Sequence, residues 1–214
     1  MTPWFLPSSG ERSPRKGFLW AGLAAALLSV AAAAVTVRMT GKEPPLPRLG
    51  GVPGFVLFDQ DGAPFPSSKL DGQVWLADFF FTRCQGICPV LTGRLRWFQD
   101  RLGNRPGWQL VSVTVDPAHD PPGVLTEYAR ANGADPRRWT FLCGEPELVK
   151  NVVTFGFRLA VEEDSTSSAE PFLHSKSIVL VDQGGEIRGY YDATDEDAMK
   201  TLLHQAQRLL RTKQ

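Results

Sequence analysis

Two cysteines, Cys84 and Cys88, stand where an apolar run, QVWLADFFFT (73–82), gives way to a segment of helical period that opens on Pro89. Sulfurs four residues apart at the start of a helix lie about one turn from each other, near enough to close a disulfide or to chelate one soft metal ion. Pro89 suits a first helical turn, where its missing N–H costs nothing. The unsatisfied N–H groups and dipole of a helix N-terminus favour an anion, so this placement predicts thiols of lowered pKa, ready to act as ligands or nucleophiles. A disulfide closing so short a loop would restrain little unfolded-chain entropy, which argues against a purely structural bridge. The chemistry expected of the pair is redox, metal binding or both.

A third donor stands 86 residues beyond Cys88: His174, in PFLHSKSIVLVD, immediately before a run expected to be a central strand. Two thiolates and an imidazole form a soft set suited to copper, holding Cu(I) in three-coordinate form and Cu(II) with one more ligand. Structural zinc would need a fourth protein ligand that the sequence does not supply. The rival function is a thiol-disulfide oxidoreductase or thiol peroxidase of the cell envelope, with Cys84 and Cys88 as its redox-active pair. Thioredoxin-type oxidoreductases usually carry CxxC and a facing X-Pro pair, whereas this chain has CxxxC and His174-Ser175, which favours metal.

Other candidates are less specific. Asp116 and Asp120, in VDPAHD, read as turn and helix-capping residues, with Asp116 also placed to orient a ligand or take a proton. His119 between them is expected to be exposed. Asp78 is out of character in a buried run, so it faces a polar pocket beneath the site or pairs with a base. Cys143, before Gly144, reads as a buried free thiol; a resolving cysteine is the sharper alternative. His204, on the polar side of the last helix, carries no functional signal.

The elements that must position these residues follow from hydrophobic period. A hairpin is expected over FVLFDQDG and on to Pro66, strands at 73–82, 109–115, RWTFL, SIVLVD and EIRGYY, and helices at 88–102, 121–131, 146–155 and 195–210. Strands alternating with helices imply an α/β fold, a mixed sheet covered on both faces, with its site at the carboxyl ends of strands.

Residues 18–37 contain no charge, and 20 helical residues at about 1.5 Å each cover the roughly 30 Å hydrocarbon layer. This predicts residues 1–17 as a short cytoplasmic N-terminus, 18–37 as a transmembrane helix or signal anchor, 38–53 as a Pro/Gly-rich tether and 54–214 as the folded domain. A cleaved signal peptide is the other reading, though its apolar core is usually shorter. Lys plus Arg equals Asp plus Glu at 23 each, which removes the broad cationic surface that nucleic acid requires. Without residues 1–43 the balance is 18 basic against 21 acidic, a net charge of −3. Hydrophobic residues at 43% supply a real core, and three cysteines are too few for a disulfide scaffold.

Taken together, ADFFFTRCQGICPVLTGRL, VDPAHD, FLCGEPE and FLHSKSIVLVD resemble the Sco/SenC family of membrane-anchored, thioredoxin-like copper proteins over roughly residues 50–212. The resemblance implies Cys84, Cys88 and His174 as ligands of one copper ion per chain, Cu(I), Cu(II) or both. It also implies a role in delivering copper to, or maintaining the thiols of, the binuclear copper site of cytochrome c oxidase. The partners would be the oxidase's copper-bearing subunit and a copper donor. The expected location is a bacterial inner membrane, crossed once, with the soluble domain facing the periplasm or cell exterior.

Overall fold

In the computed structural model, which describes residues 26–30, 43–159 and 175–212, seven strands form one sheet. They are β1 (Val56–Asp59), β2 (Pro64–Pro66), β3 (Val74–Phe80), β4 (Trp108–Thr114), β5 (Trp139–Cys143), β6 (Ser177–Val181) and β7 (Ile187–Asp192), in the order β2-β1-β5-β4-β3-β6-β7. All seven residues of β3 are buried. A strand covered on both faces has no polar side, which is why 74–80 reads as an apolar run interrupted only by Asp78 rather than an alternation. β4 and β5 extend the sheet from β3 in parallel, while β6 joins its other edge antiparallel.

The helices are α1 (Cys88–Leu102), α2 (Pro122–Ala131), α3 (Pro146–Asn151) and α4 (Glu196–Arg211). α1 and α2 share one face of the sheet, joined by a 2.8 Å hydrogen bond between the Thr92 and Tyr128 hydroxyls. Arg94 of α1 reaches the start of α4, donating to the Ala193 carbonyl at 2.9 Å and to Glu196 at 2.6 Å. On the opposite face Phe157 meets Trp75 and Phe79 edge-on, with centroids 5.7 and 4.8 Å apart. Side chains alternate along a strand, so Leu76, Asp78 and Phe80 point to the α1 side, where Phe80 packs on Tyr128 and Phe141. α1, α2 and α3 each begin with Pro in the first turn. α4 is capped by the Asp195 side chain, which accepts from the N–H groups of Asp197 and Ala198.

Two boundaries differ from the sequence expectation by more than two residues. The helix expected over 146–155 ends at Asn151, and the chain continues as a wider π turn over Val152–Gly156, with Phe157 N–H donating to the Val152 carbonyl. The wider turn buries Val153 and Phe157 while Phe155 stays 72% exposed. Residues 46–52, which Pro and Gly content assigns to the tether, run hydrogen-bonded beside the start of β7. Leu49 N–H donates to Ile187 O, Ile187 N–H to Gly50 O and Val52 N–H to Gly185 O, each at 2.9 Å, and the Arg188 guanidinium donates to Leu46 O. The folded unit accordingly begins at Leu46.

Of the expected apolar span at 18–37, only residues 26–30 are described, and they are helical. Among the described residues no helix is long and apolar enough to cross a membrane. The rest of 18–37 and the segment 1–17 lie outside the described residues.

Candidate metal and thiol site

β3 delivers the chain to the site, and the loop of residues 81–87 carries it into α1. Cys84 lies in that loop, its N–H donating to the Phe81 carbonyl at 3.2 Å. Cys88 is the first residue of α1, where Val90 and Leu91 N–H groups donate to Ile87 O and no side chain caps the helix. Both cysteines are free and buried, at 8% and 2% exposure. The position at the carboxyl end of a strand and the amino end of a helix is the one the motif predicts.

The expected lowering of thiol pKa does not hold for Cys88. Burial pushes its thiol well above the ordinary value, the adjacent Cys84 thiol adds to this, the Phe81 backbone opposes them, and the charge of Asp78 makes the smallest upward contribution. Desolvation here outweighs the helix dipole, whose effect is at most a kcal/mol or two. Cys88 is therefore kept as a thiol, and an incoming soft ion or oxidant must displace its proton to engage it.

Asp78 lies beneath the pair on β3 with no hydrogen-bond partner on either carboxylate oxygen among the described residues. It faces Ser112 in the β3–β4 register, but the Ser112 hydroxyl accepts from the Trp139 indole N–H at 2.8 Å. Among the described residues no base pairs with it. Burial raises its pKa from 3.8 to about 7, with Ser112 and its own backbone opposing. Tyr128, pushed up to about 12 chiefly by burial, with the Thr92 hydrogen bond opposing and Asp78, Cys88 and Cys84 adding, belongs to the same electrostatic neighbourhood.

VDPAHD proves to be a clamp rather than a helix cap. α2 takes no side-chain cap. Instead the buried Asp120 carboxylate accepts from the Thr82 N–H at 3.0 Å and from the hydroxyls of Thr82 and Thr114, both at 2.5 Å. It thus ties the loop that carries Cys84, 38 residues earlier in the sequence, to the end of β4. Asp116 accepts from Arg83 at 2.6 Å and pairs with His119 Nδ1 at 2.8 Å. Burial acts to raise the Asp116 pKa, but the bonds from His119 and Arg83 win and hold it below the usual carboxylate value. Asp116 is buried, while His119 and Arg83 are a little over half exposed. Both acidic residues therefore grip the Thr82–Arg83 pair immediately before Cys84. Replacing Thr82 by Val should lower unfolding free energy by about 2 kcal/mol, since a hydrogen bond to a charged group contributes roughly 1.5–3. Urea denaturation checks this, together with faster amide exchange over 82–87.

Cys143, at the end of β5 opposite Phe58 of β1, is a buried free thiol. Its pKa is raised by burial and by the charges of Asp120 and Asp59. His174 lies outside the described residues, which resume at Ser175, two residues before β6. Because β6 pairs antiparallel with β3, its amino end lies toward the carboxyl end of β3, where the cysteine loop begins. Among the described residues no group of three or more His, Cys, Asp and Glu side chains could hold a metal ion; Cys84 and Cys88 contribute two sulfur donors. The sequence reading missed Thr82, Arg83 and Thr114. The adjacent Thr82-Arg83-Cys84 triplet was visible, but its partners were not.

A family model described as SCO1/SenC matches residues 47–211. The chain belongs to the SCO1/SenC family. This SCO1/SenC chain is 29% identical over 143 residues to the SCO1 protein homolog of Bacillus subtilis (strain 168), covering 66% of this chain and 73% of that one. It superimposes on BsSco with a TM-score of 0.69 and 25% identity, over 79% of this chain and 100% of that one; BsSco is described as a member of the Sco family of cytochrome c oxidase assembly proteins in which a disulfide switch was identified. It also resembles yeast Sco1, solved with copper bound, at a TM-score of 0.58 and 27% identity over 78% and 97% of the two chains. Its mixed sheet with flanking helices is the thioredoxin-like fold of these SCO1/SenC neighbours.

Proposed function

We propose that this chain is a membrane-anchored copper carrier that delivers copper to the binuclear copper site of cytochrome c oxidase, or maintains that site's cysteines in the reduced state, during assembly. The observation that carries the reading is the buried, unbridged pair Cys84 and Cys88 at the head of α1, within a chain whose relatives include a copper-bound Sco1. Two sulfur donors fit a soft ion and fit hard cations poorly. His174 is the third ligand in this reading, and one copper ion is carried per chain. Residues 18–37 anchor the chain in the inner membrane, with residues 46–214 on the periplasmic or outer side.

The residues divide the work as follows. Cys84 and Cys88 hold the cargo and give up their protons to do so. Asp120 and Asp116, through Thr82 and Arg83, keep the Cys84 loop set against α1, so that the second sulfur need not search for the ion. Burial, with the Cys84 thiol adding to it, holds Cys88 protonated until cargo arrives. The same dithiol can reduce a partner disulfide, passing two electrons and two protons as the Cys84–Cys88 bond closes, which is the chemistry that thiol maintenance requires.

Replacing His174 by Ala should weaken Cu(II) binding at least tenfold and Cu(I) binding far less, because imidazole suits the oxidised ion while both thiolates remain for the reduced one. Separate titrations of the two ions, followed by absorbance for Cu(II) and by competition with a chromophoric chelator for Cu(I), check this. Unchanged Cu(II) affinity and spectrum would remove His174 as a ligand.

A further inference from the structure

Beyond the carboxyl end of α1, the end opposite Cys88, lies a cavity of about 240 Å3 lined by Arg105, Pro106, Gln207, Leu210 and Arg211. It lies between the loop that joins α1 to β4 and the last turn of α4. The Arg105 guanidinium is held there through Nη1, which donates to the Arg101 and Leu102 carbonyls at 3.0 and 3.3 Å. Arg211 is exposed on the other wall, and Arg101, on the last turn of α1, lies over the Trp97 ring. A domain with a net charge of −3 thus gathers arginines at one end. The acidic residues nearby are placed otherwise: Asp100 is tied to Arg96, while Asp71 and Glu186 stand on the turns entering β3 and β7.

This end is also where the chain enters the fold. Gly72 N–H donates to Gln183 O, and the Gln183 side chain donates to Leu209 O on the last turn of α4. The same turn takes Val52 N–H on Gly185 O, and Arg188 just beyond it donates to Leu46 O. A hydrogen-bonded path therefore links the arginine cavity to the first residue of the folded unit. Eight residues, 38–45, separate Leu46 from the apolar segment ending at Val37. Fully extended they reach less than about 30 Å, so a bilayer holding 18–37 keeps the entry end of the domain near its headgroups.

We propose that the cavity between Arg105 and Arg211 binds the phosphate of an anionic phospholipid headgroup and thereby docks the entry end of the domain on the membrane. Planar guanidinium groups match phosphate oxygens through paired hydrogen bonds, and basic side chains held near an anionic leaflet are drawn to it. Docking by this end turns the Cys84–Cys88 site away from the bilayer by the length of α1, about 22 Å for its 15 residues. This inference rests on the proposed anchor, and its test separates the two.

The full chain is placed in nanodiscs of phosphatidylcholine alone or with 30% phosphatidylglycerol, and amide exchange is compared. Residues 103–107 and 209–212 should exchange several-fold more slowly in the anionic discs, and the difference should vanish in the double variant Arg105→Gln, Arg211→Gln. Arg211→Gln alone, which leaves the Arg105 bonds to α1 in place, should lose most of it. Equal exchange in both lipids, or protection that the double variant retains, overturns the headgroup site. Equal protection in neutral discs with inorganic phosphate added also overturns it, by showing a free-anion site. If only the anchor is wrong, the chain will associate with phosphatidylglycerol vesicles alone, be released by 0.5 M salt and lose binding in the double variant. That result supports the headgroup site while removing the anchor.

Discussion

Replacing Cys88 by Ser is expected to lower Cu(I) affinity by well over about 100-fold, with Cys84→Ser close behind. Losing only an outer partner of a metal ligand already costs 10–100-fold, and a hydroxyl is a poor donor to a soft ion. Neither change should unfold the domain. α1 is held to the sheet by Leu91, Leu95 and Phe98, all fully buried, and the Cys84 loop by the Asp120 clamp. A chelator competition on each variant, paired with its denaturation midpoint, separates lost ligation from lost structure. Stoichiometric tight binding by either variant would mean the copper lies elsewhere.

The second large effect concerns Asp78. Its folded pKa of about 7 stands above the ordinary 3.8, so between these values the native state keeps a proton that the unfolded chain has released. The stability this confers is fully present below about pH 4 and is lost as pH rises through 7. At 1.36 kcal/mol for each pKa unit, the loss reaches about 4 kcal/mol. Asp78→Asn carries no ionisable group there, so its stability curve should lack this fall, and at pH 8 the variant should be markedly more stable than the parent. Urea midpoints from pH 4 to 8 measure it. A parent curve that rises toward pH 8 with the same slope as the variant would show that Asp78 is ionised in the fold at no cost. Asp116 works in the opposite sense: its lowered pKa gives stability above the ordinary carboxylate range that fades as pH falls below it.

These two carboxylates mark where sequence reading stops. The strands, the start of α1 at Cys88 and the end of α4 near Arg211 were legible, because burial on one or both faces and a first-turn Pro leave local marks. The clamp was not: Asp120 and Thr82 are 38 residues apart, and nothing in VDPAHD distinguishes a cap for the next helix from a bond to a distant loop. The thiol pKa was misjudged for a related reason. Helix-terminus electrostatics is read locally, whereas the desolvation that overrides it at Cys88 comes from the whole core. Residues 46–52 read as tether from sequence because pairing through backbone groups requires no apolar period, and Pro and Gly content is their only local mark.

The Arg105–Arg211 cavity and the Cys84–Cys88 pair lie toward opposite ends of α1, so in the proposed reading one end would fix position and the other exchange cargo. Copper binding by Cys84 and Cys88 is the more consequential of the two. Its most direct test is the metal content of the full chain purified in detergent under reducing conditions and loaded with excess Cu(I), then desalted and assayed for copper and protein. The account predicts one copper per chain, retained with Cys143→Ser and lost with Cys84→Ser and with Cys88→Ser. A chain that retains no copper yet rapidly turns over disulfide or peroxide would contradict it and identify an oxidoreductase instead.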